Sequence, residues 1–169
     1  MKNYAGYPIA ELQPRERPLK KAADTDLPIA IAHIYADFQC LALAAKGAHW
    51  NVTGPDFFQY HQLFDRIYDE VAAAIDPIAE HLRYLGMPVP VKLEELEQLS
   101  VIPIPDTFTM PPDALVALLL QGHLLLESRL TEAYQIANSA NTQGIVNMLA
   151  NELERTGTRI YLLRSTSSN

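Results

Sequence analysis

The chain has 169 residues, 49% of them hydrophobic and 20% charged, the proportions of one globular domain large enough to bury a core without disulfide or zinc staples. Its single cysteine, Cys40, excludes an intrachain disulfide and fits a reducing compartment. A net charge of −7 disfavours a strong grip on nucleic-acid phosphate unless basic residues are segregated.

Residues 1–26 read as a flexible tail. They mix proline, tyrosine and charge without period, and Lys2, Arg15, Arg17, Lys20 and Lys21 nearly cancel against Glu11, Glu16, Asp24 and Asp26. The start lacks the apolar stretch of a signal peptide, and no uninterrupted apolar run reaches the ~18 residues of a membrane span. The expected location is therefore the cytoplasm, with no membrane association, and the sequon at Asn51-Val52-Thr53 is read as chance.

Asp26 suits a helix N-cap ahead of Leu27-Pro28. Ile31, Ile34, Phe38, Leu41 and Ala45 then recur every three or four positions, up to a stop at Thr53-Gly54-Pro55. A second helical pattern runs from about Asp56 to Gly86 through Phe64, Ile67, Val71 and Ile78. Six prolines fall between positions 87 and 112, which predicts a long connection carrying a short helix over 93–99. A third long helix fits residues 113–138, and a fourth fits 142–164. No segment alternates as a strand does. Four long amphipathic helices with one long crossover predict an all-α, ferritin-like four-helix bundle over residues 27–165, followed by a tail at 166–169.

The histidines sort by their neighbours. His123 lies in a leucine-rich run and reads as a core or interface histidine, and His33 as a surface or packing residue. His61 and Asp65 share one face of the second helix, as do Asp76 and Glu80 further along it. His81 follows Glu80, and His49 closes the first helix beside Trp50. Eleven residues from Asp65 to Asp76 make three turns plus about 20°, so both carboxylates point the same way but stand about 16 Å apart. Metal–ligand bonds of about 2 Å cannot span that gap. A two-fold related, antiparallel neighbour would bring the His61/Asp65 end of one chain to the Asp76/Glu80 end of the other. A mixed imidazole and carboxylate set suits iron or zinc. A metal site of the Glu-x-x-His type inside one bundle is excluded, because no glutamate is followed by histidine three residues later.

The run Lys46-Gly47-Ala48-His49-Trp50-Asn51-Val52-Thr53-Gly54-Pro55-Asp56-Phe57-Phe58, with His61, Asp65, Asp76, Glu80 and Leu85-Gly86, closely resembles the Dps family, the DNA-binding proteins from starved cells. These are dodecameric mini-ferritins. The resemblance implies a homo-dodecamer built from two-fold dimers, with a di-iron ferroxidase site between subunits. His49, His61 and Asp65 would come from one chain and Asp76 and Glu80 from its neighbour, with Glu80 bridging the metals. Hydrogen peroxide or dioxygen would oxidise Fe(II), the product would be stored as mineral, and Trp50 would act as an electron donor. The final helix matches loosely, with Tyr161 near the usual position of Trp.

Two departures bear on the site. Pro77 sets Asp76 either as a ligand or as the cap of a restarted helix. His81 stands where the family usually has Arg, and a kink at Pro77 would swing it towards the metals, giving a histidine-richer centre better suited to zinc. DNA binding, a tail property in the family, is expected to be weak here because the arm is near neutral and the shell acidic. The alternatives are a nucleoid-compacting protein with little iron chemistry and an inert helical assembly. A gel shift at low and physiological salt separates the first from a ferroxidase, and stoichiometric Fe(II) oxidation excludes the second.

Overall fold

The computed structural model describes residues 27–166, which form five α-helices: α1 (Leu27–Asn51), α2 (Phe57–Tyr84), α3 (Leu93–Leu99), α4 (Pro112–Ser139) and α5 (Gln143–Thr166). The expected arm at 1–26, with its Asp26 cap, and residues 167–169 lie outside the described residues. The last helix ends one position beyond the expected boundary at 165, which is within the usual fraying of helix ends.

Short turns fold α1 onto α2 and α4 onto α5 as two antiparallel hairpins, and the crossover carrying α3 joins them. The first turn passes through Gly54 at φ +125°, a conformation that a side chain would strain. The two hairpins meet mainly through α1 and α4, and α2 touches α5. The core is apolar and mostly aliphatic, with Ile31, Ile34, Leu41, Ile67, Ile78, Leu115, Leu119 and Leu126 fully enclosed together with the aromatic Phe38 and Phe64. α1 is buried on nearly every side because α2, α3 and α4 all pack on it. That accounts for an apolarity which, in α1 and α4, matches a membrane span by length and composition.

A buried polar clamp fixes the crossover. Asp37 of α1 accepts hydrogen bonds from the Ser100 hydroxyl and the Val101 amide, both at 2.8 Å, and pairs with Arg129 of α4 at 2.9 Å. The carbonyl of Leu99 accepts from Arg129 and from His33 Nδ1, each at 2.9 Å. The proline-rich segment thus gains the polar partners that its missing amides cannot provide. Removing Asp37 leaves the Arg129 cation enclosed. Asp37→Ala is expected to cost about 3–5 kcal/mol, read as a lower denaturation midpoint.

His123 is a core residue, as expected. It is fully buried, and its Nδ1 donates to Leu119 O at 2.7 Å. Burial, aided by the nearby Arg159 cation, brings its pKa down from 6.5 to about 4. Between those values the unfolded chain takes up a proton that the folded chain refuses. This contribution is therefore fully present above pH 6.5 and is lost as the pH falls towards 4, by about 3 kcal/mol for such a shift. In urea denaturation at pH 7 and pH 4.5, His123→Leu is expected to lose less stability on acidification than the wild type.

Candidate metal centre

The end of α1 and the start of α2 face each other across the turn at residues 52–56, which brings His49 beside His61. Their rings stack with centroids 3.7 Å apart. Each histidine ties the other. His49 Nδ1 donates to the His61 carbonyl and His61 Nδ1 donates to the His49 carbonyl, both at 2.9 Å. The His49 carbonyl lies in the last turn of α1, where the helix itself supplies no amide, so the bond satisfies an orphan acceptor. A carbonyl only accepts, so in each ring Nδ1 carries a proton, and in the neutral imidazole the lone pair of Nε2 is left for a ligand. Phe57, 4.8 Å from the His61 ring, walls the pair on the side of the turn.

Asp65 stands one turn beyond His61. Its Oδ1 lies 3.6 Å from His49 Nδ1 and 2.6 Å from Lys46 Nζ. The Lys46 ammonium holds the Asp65 carboxyl below the usual carboxylate range. One imidazole pair and one carboxylate thus lie near one another at this end.

Asp76, Glu80 and His81 lie three and more turns further along α2. The helix runs unbroken through Pro77, so Asp76 is a helical residue and not the cap of a restarted helix. Asp76 and Glu80 are both exposed. His81 is half-buried, and its Nδ1 donates to the Pro77 carbonyl at 2.7 Å, the same tautomer with Nε2 left open. Its ring meets Tyr84 edge-on at 5.5 Å. Among the described residues, no three His, Cys, Asp or Glu side chains of one chain converge into a set able to hold an ion. The two halves are apart within the chain, as the helix rise demands.

The bundle interior, where ferritin-like di-iron bundles keep their metals, is occupied differently. The fully buried Arg159 guanidinium donates to Thr156 at 2.9 Å and lies 3.9 Å from the Glu152 carboxylate. A fixed cation there opposes metal binding. Trp50 projects outwards, 67% exposed, so it does not serve as packing within its own chain. Leu43, Phe57 and Phe58 are exposed alongside it. Lys46 and Phe57 belong to the motif at residues 46–58 but have no role assigned by the sequence pattern. Their signal was position: Lys46 is one turn before His49, and Phe57 one turn before His61.

A model described as a ferritin-like domain matches residues 30–165. The DNA protection during starvation protein of Helicobacter pylori is 25% identical over 80% of this chain and 94% of its own length. The crystal structure of antigen TpF1 from Treponema pallidum is similar with a TM-score of 0.81 at 24% identity, covering 85% of this chain and 92% of that one. The Dps protein of Vibrio cholerae, described as a member of a broad superfamily of ferritin-like diiron-carboxylate proteins, gives 0.78 at 20% identity, covering 82% and 87%. The chain belongs to the ferritin-like family and, within it, to the Dps mini-ferritins.

Proposed function

We propose that this protein is a ferroxidase and iron store that completes its oxidation site only between two copies of itself. As a mini-ferritin it belongs to an iron-storing class. His49, His61 and Asp65 of one chain would hold iron together with Asp76, Glu80 and His81 of a two-fold neighbour. The observation that carries this reading is the grouping of two imidazoles and a carboxylate where α1 meets α2: the His49 and His61 rings stack with centroids 3.7 Å apart, and Asp65 Oδ1 lies 3.6 Å from His49 Nδ1. Bonds from Nδ1 to backbone carbonyls orient these rings and that of His81 as they orient metal-ligating imidazoles, and the packing residues His33 and His123 make the same kind of bond. The exposed Leu43, Trp50, Phe57 and Phe58 around the His49 end support cover by a second copy.

Iron is the substrate. Two Fe(II) ions give up one electron each to hydrogen peroxide, which takes up two protons and leaves as two waters; dioxygen is the other oxidant considered. The chain's share is to bind and orient. The carboxylates offset the cation charge, and Glu80 reaches between the ions. Trp50, next to His49 and open to the outside of its own chain, would supply electrons to stray oxidant. The Fe(III) product collects in the hollow of a dodecamer assembled from two-fold dimers. With three imidazoles the centre also suits zinc, which lacks redox chemistry and would occupy it without turnover. The protein is placed in the cytoplasm. DNA binding is assigned a minor part, since the chain carries −7.

His49→Ala combined with His61→Ala is expected to abolish stoichiometric Fe(II) oxidation, and Asp76→Ala combined with Glu80→Ala to do the same. Unchanged oxidation in either double variant refutes the ligand set. Co-assembling the two inactive variants tests the sharing of the site. A mixed dimer holds one intact centre and one doubly damaged centre, so random mixing should restore about a quarter of the wild-type rate. A mixture as inactive as its components would place the two halves in separate sites.

A further inference from the structure

Glu152, Thr156 and Arg159 follow one another at spacings of four and three, on one face of α5, and all three are buried. His123 of α4 is enclosed close enough to feel the Arg159 cation. The hydrogen bonds of this group leave a remainder. Arg159 Nη2 donates to Thr156 Oγ1 at 2.9 Å but stands 3.9 Å from Glu152 Oε2, too far for a hydrogen bond. Glu152 Oε1 accepts from Arg155 at 2.9 Å, and His123 spends Nδ1 on the Leu119 carbonyl. Arg159 Nε and Nη1, Glu152 Oε2 and His123 Nε2 are thus buried with no hydrogen-bond partner among the described residues. Burial pushes the Glu152 carboxyl up and the Arg159 guanidinium down, each towards its uncharged form, as befits charges short of polar contacts.

We propose that this part of the interior is a binding site for ordered water, which bridges Arg159 of α5 to Glu152 and to His123 of α4. Buried polar groups are nearly always satisfied, because an unmet one forfeits its hydration without return. The four orphans are of both kinds. The guanidinium nitrogens only donate, whereas the Glu152 carboxylate and Nε2 of the neutral His123 ring only accept. Chloride or another small anion would meet the donors, leave both acceptors orphaned and be repelled by Glu152. A cation would meet the acceptors and be repelled by Arg159. Closing the 3.9 Å gap between Arg159 and Glu152 would still leave His123 open. Water carries two protons and two lone pairs, so one molecule accepts from Arg159 and donates to both acceptors, and three bonds are usual for a buried water. The two helices are then coupled through solvent: His123 and Arg159 support each other without a hydrogen bond between them.

A crystal structure of the full chain, grown with sodium bromide and at a resolution that shows ordered solvent, tests this on the unaltered protein. Solvent density is expected within about 3 Å of Glu152 Oε2, of His123 Nε2 and of an open Arg159 nitrogen, with no anomalous signal at the bromine edge. An anomalous peak there makes the occupant an anion and overturns the proposal. An interior without such density overturns it as well. Urea denaturation at pH 7, well above the His123 pKa of about 4, gives a second reading from His123→Leu, Arg159→Met and the double variant. The unfolding constants are expected to depart from additivity by about tenfold, the scale for side chains in one hydrogen-bonded network. Additive effects of the two substitutions would show that no solvent bridge couples them. Should Arg159→Met fail to fold, Arg159→Gln, which keeps a donor, takes its place in the cycle.

Discussion

Three turns of unbroken helix separate Asp65 from Asp76, and the rise of an α-helix sets that distance at about 16 Å. Neither rotamers nor loop motion can shorten it, because both residues ride on one rod packed into the core through Phe64, Ile67, Val71, Ala74 and Ile78. In the proposed centre the chain accordingly carries two half-sets of ligands, each too small to hold an ion by itself. Chemistry that needs both halves needs a second copy, and so assembly and activity become one property. Pro77 does not relax the constraint, since α2 absorbs it without ending.

Within each half, order comes from backbone carbonyls. The stacked His49 and His61 rings would be free to turn if each did not donate to the other's main chain. This arrangement needs α1 and α2 antiparallel with a short turn, which the Gly54 conformation permits. His81 obtains the same orientation locally, from the carbonyl one turn back. The carboxylates are held less rigidly. Asp65 is paired with the part-exposed ammonium of Lys46, while Asp76 and Glu80 project from the surface.

The interior of the bundle serves stability instead. The clamp of Asp37, Arg129, Ser100 and the Leu99 carbonyl pins the crossover, and the pairing of Arg159 with Glu152 and Thr156 fills the space between helices. Each pins down a unique packing at the cost of desolvating charge, and each would be strongly destabilising if half removed. The proposed metal centre lies instead on the outside of the bundle, at an end where Trp50, Phe57 and Phe58 are exposed.

Periodicity alone determined the helix plan. Apolar residues at three- and four-residue spacing, broken by Gly54 and the proline-rich connection, delimit the four long helices within one or two residues, and the short helix over 93–99 stands as expected. Spacing along α2 likewise made the split of the ligand stripe legible, because side-chain direction and rise on a helix are fixed functions of residue number. What only the tertiary structure decided are the contacts between positions distant in sequence. The bonds between His49 and His61, twelve residues apart, the Lys46–Asp65 pair and the Asp37–Arg129 clamp depend on how helices lie against each other. Asp76 was open between ligand and cap for a related reason: a proline's effect on a helix depends on the neighbours that hold the helix straight, and those neighbours are set by packing, which no local pattern records.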